Sequence, residues 1–190
     1  MEKYLAKIPS FATDNFFKNK AYEKNLNLDS IPEANQKISI ANLDLHLMNW
    51  CLYAATMEIR ARYKCKPLNY NECLRNAAFV HAHQMIIYEF FSHLNPYFPE
   101  LKTPSQRMGF CTKNISYDGE NINLNFFEDN TISYKQMARE IVNSLFQSKG
   151  HRRNMLSDKY NSLGCGAFWS YNQKENRHKI LGVQCFAYLY

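Results

Sequence analysis

The chain lacks the marks of several large function classes. Glycine and proline number only six each in 190 residues, which excludes collagen-like and linker-like sequence. No apolar run approaches ~18 residues, so no transmembrane helix is written here. Residues 1–20 scatter Phe11, Phe16 and Phe17 among Lys, Asp and Asn and lack the apolar run of ~7–15 residues of a signal peptide. That leaves a cytosolic protein or a chain whose leader has been removed. There is no glycine-rich phosphate loop and no Gly-x-Ser-x-Gly elbow, which removes the usual nucleotide and serine-hydrolase machinery. No Cys-x-x-Cys pair supports a zinc ribbon or thioredoxin motif. The net charge of +6 is mild and comes with no recognisable nucleic-acid module, so no nucleic-acid partner is expected.

What is present is globular: 46% hydrophobic, 15% aromatic and 21% charged residues. The chain divides near His46. Residues 1–46 carry six lysines, six acidic residues and no cysteine, and read as an N-terminal extension packed on the main domain. Residues 47–190 therefore hold the whole +6 and all six cysteines.

The domain opens with helical spacing at Leu47, Cys51, Ala54, Ala55 and Ile59, closed by Pro67. A second helix starts from Asn69 or Asn71 as cap, with Leu74, Ala77, Ala78, His81, Met85 and Tyr88 on one face. Thr103-Pro104 begins a short helix that Gly109 stops, Asp118-Gly119 reads as a turn, and Ser133 with Gln136 forms a capping box for a third long helix ending at Lys149-Gly150. Leu163, Cys165, Ala167 and Trp169 alternate with polar residues, as do Leu181, Val183, Cys185, Ala187 and Leu189. This predicts an antiparallel hairpin with one buried face, which a centre near Glu175 would register as Cys165 opposite Cys185. Helices first and a small sheet last give an α+β class.

His81 and His83, two apart on a helix, point to different faces and cannot share a metal; one should be a core polar residue and the other a surface one. His93 and His151 each follow a long helix beside a chain breaker, and Glu120 lies between them in sequence. Two imidazoles and a carboxylate from separate loops could bind zinc with one position open. They could also hold a water with Glu120 as general base, or the histidines could be struts with Glu120 accepting a hydrogen bond from one. Lys149, Arg152 and Arg153 flank His151; they read as an attraction for an anionic headgroup or glycan phosphate, or as a solvated face. Cys65 with Cys73 and Cys165 with Cys185 are candidate disulfides, against the alternative of buried free thiols.

Phe90-Phe91-Ser92-His93, Gly119-Glu120-Asn121-Ile122 and the block at 148–156 resemble, in order and spacing, the signature blocks of the CAP superfamily (cysteine-rich secretory proteins, antigen 5, pathogenesis-related 1), in its bacterial SCP-like branch. Ser105-Gln106-Arg107 and Val183-Gln184-Cys185-Phe186 fit the same pattern, over about residues 47–190. The resemblance implies an α-β-α sandwich with a small antiparallel sheet between helical layers. It also implies a cleft lined by two histidines and two acids. His93, Glu120 and His151 match three of these; the fourth acid is replaced by Ser148, the usual aromatic near it by Leu145, and Glu140 stands two turns upstream. The expected protein is secreted or at the cell surface, non-enzymatic, and a monomer or weak dimer. It should bind a small amphipathic ligand (lipid or glycan) or a protein partner through His93, Glu120, His151, Ser148 and Arg152. The alternative is a zinc-dependent hydrolase with His93 and His151 as metal ligands and Glu120 as catalytic base.

Overall fold

The computed structural model describes residues 1–8, 26–110 and 112–190; Phe11, Phe16, Phe17 and Cys111 lie outside them. The elements follow the capping signals closely. Helix α1 is a single short piece, Glu2–Leu5. Helix α2, Leu45–Arg62, starts where the Asp44 carboxylate accepts the Leu47 N–H and ends with Arg60 and Arg62 against the helix dipole. Strand β1, Asn69–Tyr70, leads into α3, Glu72–Ile87, with Asn71 as its cap. Pro104 at the first position and a Thr103–Gln106 capping box fix α4, Pro104–Gly109. Strand β2 spans Ile115–Phe127, and a Ser133–Gln136 capping box starts α5, Tyr134–Gln147. Helix α6 is Lys149–Leu156, and the chain ends in the hairpin β3, Ser162–Asn172, and β4, Arg177–Leu189. Among the described residues no helix is long and apolar enough to cross a membrane.

The sheet order is β1-β3-β4-β2; β1 runs parallel to β3, and the three long strands are antiparallel. Helices cover both faces. A Cβ on Gly164 or Gly166 would overlap backbone atoms of Arg75 or Phe79, so α3 lies directly on β3 with no side chain between. On the other face Gly182 lies against Ile141 of α5 and Leu52 of α2. Residues 162–168 and 180–187 are consequently buried on both faces, not one as the alternation predicts.

Three local expectations are corrected. Asp118-Gly119 is not a turn but lies within β2, paired with Ala187 and Phe186 of β4. Lys149-Gly150 does not end the third long helix: α5 stops at Gln147, Ser148 caps α6, and the pair forms its first turn. The candidate disulfides do not form, because Cys65, Cys165 and Cys185 are free thiols. Cys165 faces Gln184 and Cys185 faces Gly164, one residue off the expected register. With a side-chain period of two, that slip sends the two thiols to opposite faces of the sheet. Cys73 is disulfide-bonded, but not to Cys65. The segment between them is drawn out as β1 along β3, which leaves the Cys65 thiol 3.6 Å from the Leu156 carbonyl oxygen.

The segment before α2 joins the same core. Leu28, Ile31, Ala34, Ile38 and Leu43 are all buried. Asp29 bonds Lys135 at 3.0 Å and Arg139 at 3.0 Å, and Arg139 also holds Glu58 at 2.8 Å. Direct contact of α3 with the sheet gives a test. Gly166→Ala should destabilise the chain by about 1–3 kcal/mol or more through overpacking. Gly150→Ala, with open space around its Cβ in α6, should match or exceed wild type. Urea unfolding midpoints of the two variants check both.

Candidate functional site

The site assembles at the edge strand of the sheet, from β2, the loop after α3, and helices α4 and α6. Strand β2 places Glu120 opposite Cys185, on the face that α3 covers, and Asn121 opposite Gln184, on the other face. Helix α3 ends at Ile87, and Glu89 takes a left-handed φ of 52° that turns the chain into the loop carrying His93. Buried Asn95 shapes this loop: its Oδ1 accepts the N–H groups of Tyr97 (2.9 Å) and Phe98 (3.2 Å), and its Nδ2 donates to Gln84 (2.6 Å).

Arg107 of α4 is fully buried and organises what surrounds it. It donates to the carbonyl oxygens of Leu101 (2.9 Å), Lys102 (3.2 Å) and His93 (2.9 Å), and its Nη2 meets Glu120 Oε2 at 2.6 Å. The other carboxylate oxygen, Oε1, bonds His93 Nδ1 at 2.9 Å. A carboxylate only accepts, so Nδ1 carries the proton and His93 Nε2 is left for the outside. His81, also fully buried, lies 3.9 Å from Glu120 Oε1 and donates from Nε2 to the Ser92 carbonyl oxygen at 3.0 Å.

Burial alone would raise the Glu120 pKa. The bond from His93 and the charge and bond of Arg107 outweigh it and hold the carboxyl below its ordinary value of 4.5. Burial pushes the His81 imidazole down to about 4.

His151 comes from the first turn of α6. Its carbonyl oxygen accepts from Asn121 Nδ2 at 3.1 Å, and Asn121 also bonds Gln184 at 2.8 Å and Asn154 at 2.9 Å. Buried Arg60 fixes the far end of that helix through the Met155 (2.6 Å) and Ser157 (3.1 Å) carbonyl oxygens. The His93 and His151 rings stand 6.4 Å apart, centroid to centroid, at 61°. Partial burial and the neighbouring His93 both lower the His151 pKa.

The structure thus brings His93 to Glu120 and to His151, while among the described residues Glu120 bonds Arg107 and His93 but not His151. Ser148 is exposed as the α6 cap. Arg152 folds back onto α5, donating to the Phe146 carbonyl oxygen at 3.1 Å with its guanidinium over the Phe146 ring. His83 is a correction: it is buried, not at the surface, with the Phe168 ring 4.7 Å away.

Arg107 and His81 are the functional neighbours that sequence reasoning missed. Their signals were a cation inside a firmly capped short helix and a histidine on an apolar helix face. The donor set does not fit a zinc site with three protein ligands, because both Glu120 oxygens are already committed. Among the described residues no group of three or more His, Cys, Asp or Glu side chains is arranged to hold a metal ion.

Residues 53–186 match the sequence profile of the cysteine-rich secretory protein family, CAP. No curated protein sequence matches the chain. Among solved structures, the chain is similar to an outer surface protein of Borrelia burgdorferi, at 16% identity and TM-score 0.54, over 73% of this chain and 90% of that one. It is also similar to an extracellular protein containing an SCP domain from Bacillus anthracis, at 22% identity and TM-score 0.57, over 74% of this chain but only 40% of that one. At these identities the likeness is one of fold.

Removing one member of a buried pair strands the other charge, so Glu120→Gln should lose about 3–5 kcal/mol at neutral pH. Because the folded pKa of Glu120 lies below 4.5, the contribution is complete above that value and lost as pH falls through the folded pKa. Urea unfolding of wild type and variant should therefore converge in acid.

Proposed function

The chain belongs to the cysteine-rich secretory protein (CAP) family, and from that premise and the geometry around Glu120 we propose that it is a secreted or cell-surface binding module. The observation that carries this reading is the commitment of both Glu120 oxygens, one to Arg107 at 2.6 Å and one to His93 at 2.9 Å. A carboxylate held below its ordinary pKa by such partners is a weak base. Its work is to fix the His93 tautomer and aim Nε2 outward, beside His151.

The two imidazoles then form the recognition surface. Exposed Lys149 and Arg153 add positive charge to the helix that carries His151, while Arg152 is spent on Phe146. Such a surface suits the polar or anionic head of a small amphipathic ligand, a lipid or a glycan, or a complementary protein partner. Export accords with the outer-surface and extracellular proteins that share the fold.

The competing reading is a zinc-dependent hydrolase, in which His93 and His151 would hold the ion and zinc would supply an activated water. It requires Glu120 to give up Arg107 or His93. The two readings separate in one experiment. The full chain is screened against lipid and glycan arrays and, with and without added zinc, against ester and peptide substrates. We expect a ligand whose retention falls about tenfold or more in His151→Ala, and hydrolysis at the buffer rate throughout. Turnover that needs zinc and disappears in both His93→Ala and Glu120→Gln would establish the hydrolase instead.

A further inference from the structure

We infer that the outer edge of β2 is a self-association surface, on which a second copy of this chain adds its own β2 as an antiparallel strand. Strand β2 lies at the edge of the sheet, with β4 as its neighbour. Alternate residues of such a strand turn their N–H and C=O groups to the same side. Here the outward row is the even-numbered one. The Asp118 carbonyl oxygen accepts the Tyr160 hydroxyl at 3.2 Å, and the Glu120 carbonyl oxygen accepts from Asn154 Nδ2 at 3.3 Å. Side chains of α6 and of the chain just after it therefore close the edge as far as Glu120. Beyond that point, the outward N–H and C=O groups of Ile122, Leu124 and Phe126 have no partner among the described residues.

Open edges are normally guarded by charged residues, by proline or by a covering element. From Asn121 to Phe127 the strand carries neither a charge nor a proline. Leu124, at the middle of the open stretch, is 36% exposed. Arg177 lies over the Phe126 ring, but it belongs to β4 and is paired with Glu175 at 2.7 Å. Two asparagines give a second sign. Asn125 makes no side-chain hydrogen bond among the described residues. Asn123 donates to Ser144, while its Oδ1 is withdrawn from water without a partner among those residues.

The edge itself selects the occupant, because Ile122-Asn123-Leu124-Asn125-Phe126 is self-complementary about Leu124. With a two-fold axis there, Leu124 stands opposite Leu124 of the copy and Ile122 opposite the copy's Phe126, all on the α3 side of the sheet. On the other side Asn123 stands opposite the copy's Asn125, whose amide N–H supplies the donor that Asn123 Oδ1 lacks. The three outward residues exchange both backbone bonds with their counterparts, about six in all. Strand β2 ends at Phe127, so the copy's strand runs out where α6 closes the edge. The same register carries the copy's exposed Glu128 toward α6, where exposed Arg153 precedes Asn154. A two-fold pairing of this kind uses the same patch on both chains and closes at the dimer.

A strand pair this short makes a small interface, so association is weak, and sedimentation velocity on the full chain runs from ~10 μM to ~1 mM. We expect monomer at the low end and dimer at the high end. Amide exchange reads the edge directly: the Leu124 and Phe126 amides should slow about tenfold or more as concentration rises, while those of Asn123 and Asn125, already bonded to β4, hold their rates. Leu124→Lys and Leu124→Glu each set like charges against one another across the axis, and each should weaken the dimer about tenfold or more. Thermal melts check that both variants fold at this exposed position. An equal mixture of the two should associate again, because opposite charges then face each other. Monomer at every concentration overturns the pairing and leaves the edge to a strand from another protein. A dimer that both single variants retain, or that the mixture does not restore, overturns it as well.

Discussion

Arg107 and Glu120 meet at 2.6 Å with both side chains withdrawn from water, and the geometry of the site hangs on that contact. A buried guanidinium is costly unless its donors are satisfied. Arg107 satisfies most of its donors on the carbonyl oxygens of His93, Leu101 and Lys102 and on Glu120. The same bonds shape the loop that follows α3 and attach it to β2. Glu120, neutralised on one oxygen, uses the other to orient His93. A single ion pair therefore sets the loop, the strand and the outward-facing imidazole.

On the opposite face of the sheet Asn121 repeats the arrangement without charge. Its amide bridges the His151 carbonyl oxygen and Gln184, and Asn154 donates to it. Adjacent residues of one strand thus reach both helical layers, because successive side chains on a strand point to opposite faces. The two histidines meet because each layer supplies one. Close contact of α3 with β3, allowed by Gly164 and Gly166, keeps His81 at a fixed distance from Glu120.

Much of this was legible in the sequence. Asn71, Thr103 and Ser133 cap helices as their residue types direct, and the motif blocks around His93, Glu120 and His151 pointed to the family and its sandwich. Strand β2 was not legible, since Asp118, Asn121, Asn123 and Asn125 are residues that strands usually avoid. Two of them serve tertiary partners: Asn121 bonds Gln184, and Asn123 bonds Ser144 at 3.0 Å. The hairpin was found but its register slipped by one, because the loop between Asn172 and Arg177 has four residues and no central one. That slip alone turned a plausible Cys165–Cys185 bridge into two thiols on opposite faces. Arg107 stayed hidden because its meaning depends on Glu120, thirteen residues away across a loop.

The central claim is that Glu120 is a fixed anion that positions His93, and its ionisation is the direct measure. Carbon-detected NMR of the Glu120 carboxyl, followed through an acid titration of the full chain, reads it without perturbing the pair. The carboxylate should stay ionised below its ordinary value of 4.5, and replacing Arg107 should move its titration upward. A Glu120 that titrates near neutrality in the folded chain would make it a competent base and contradict the account.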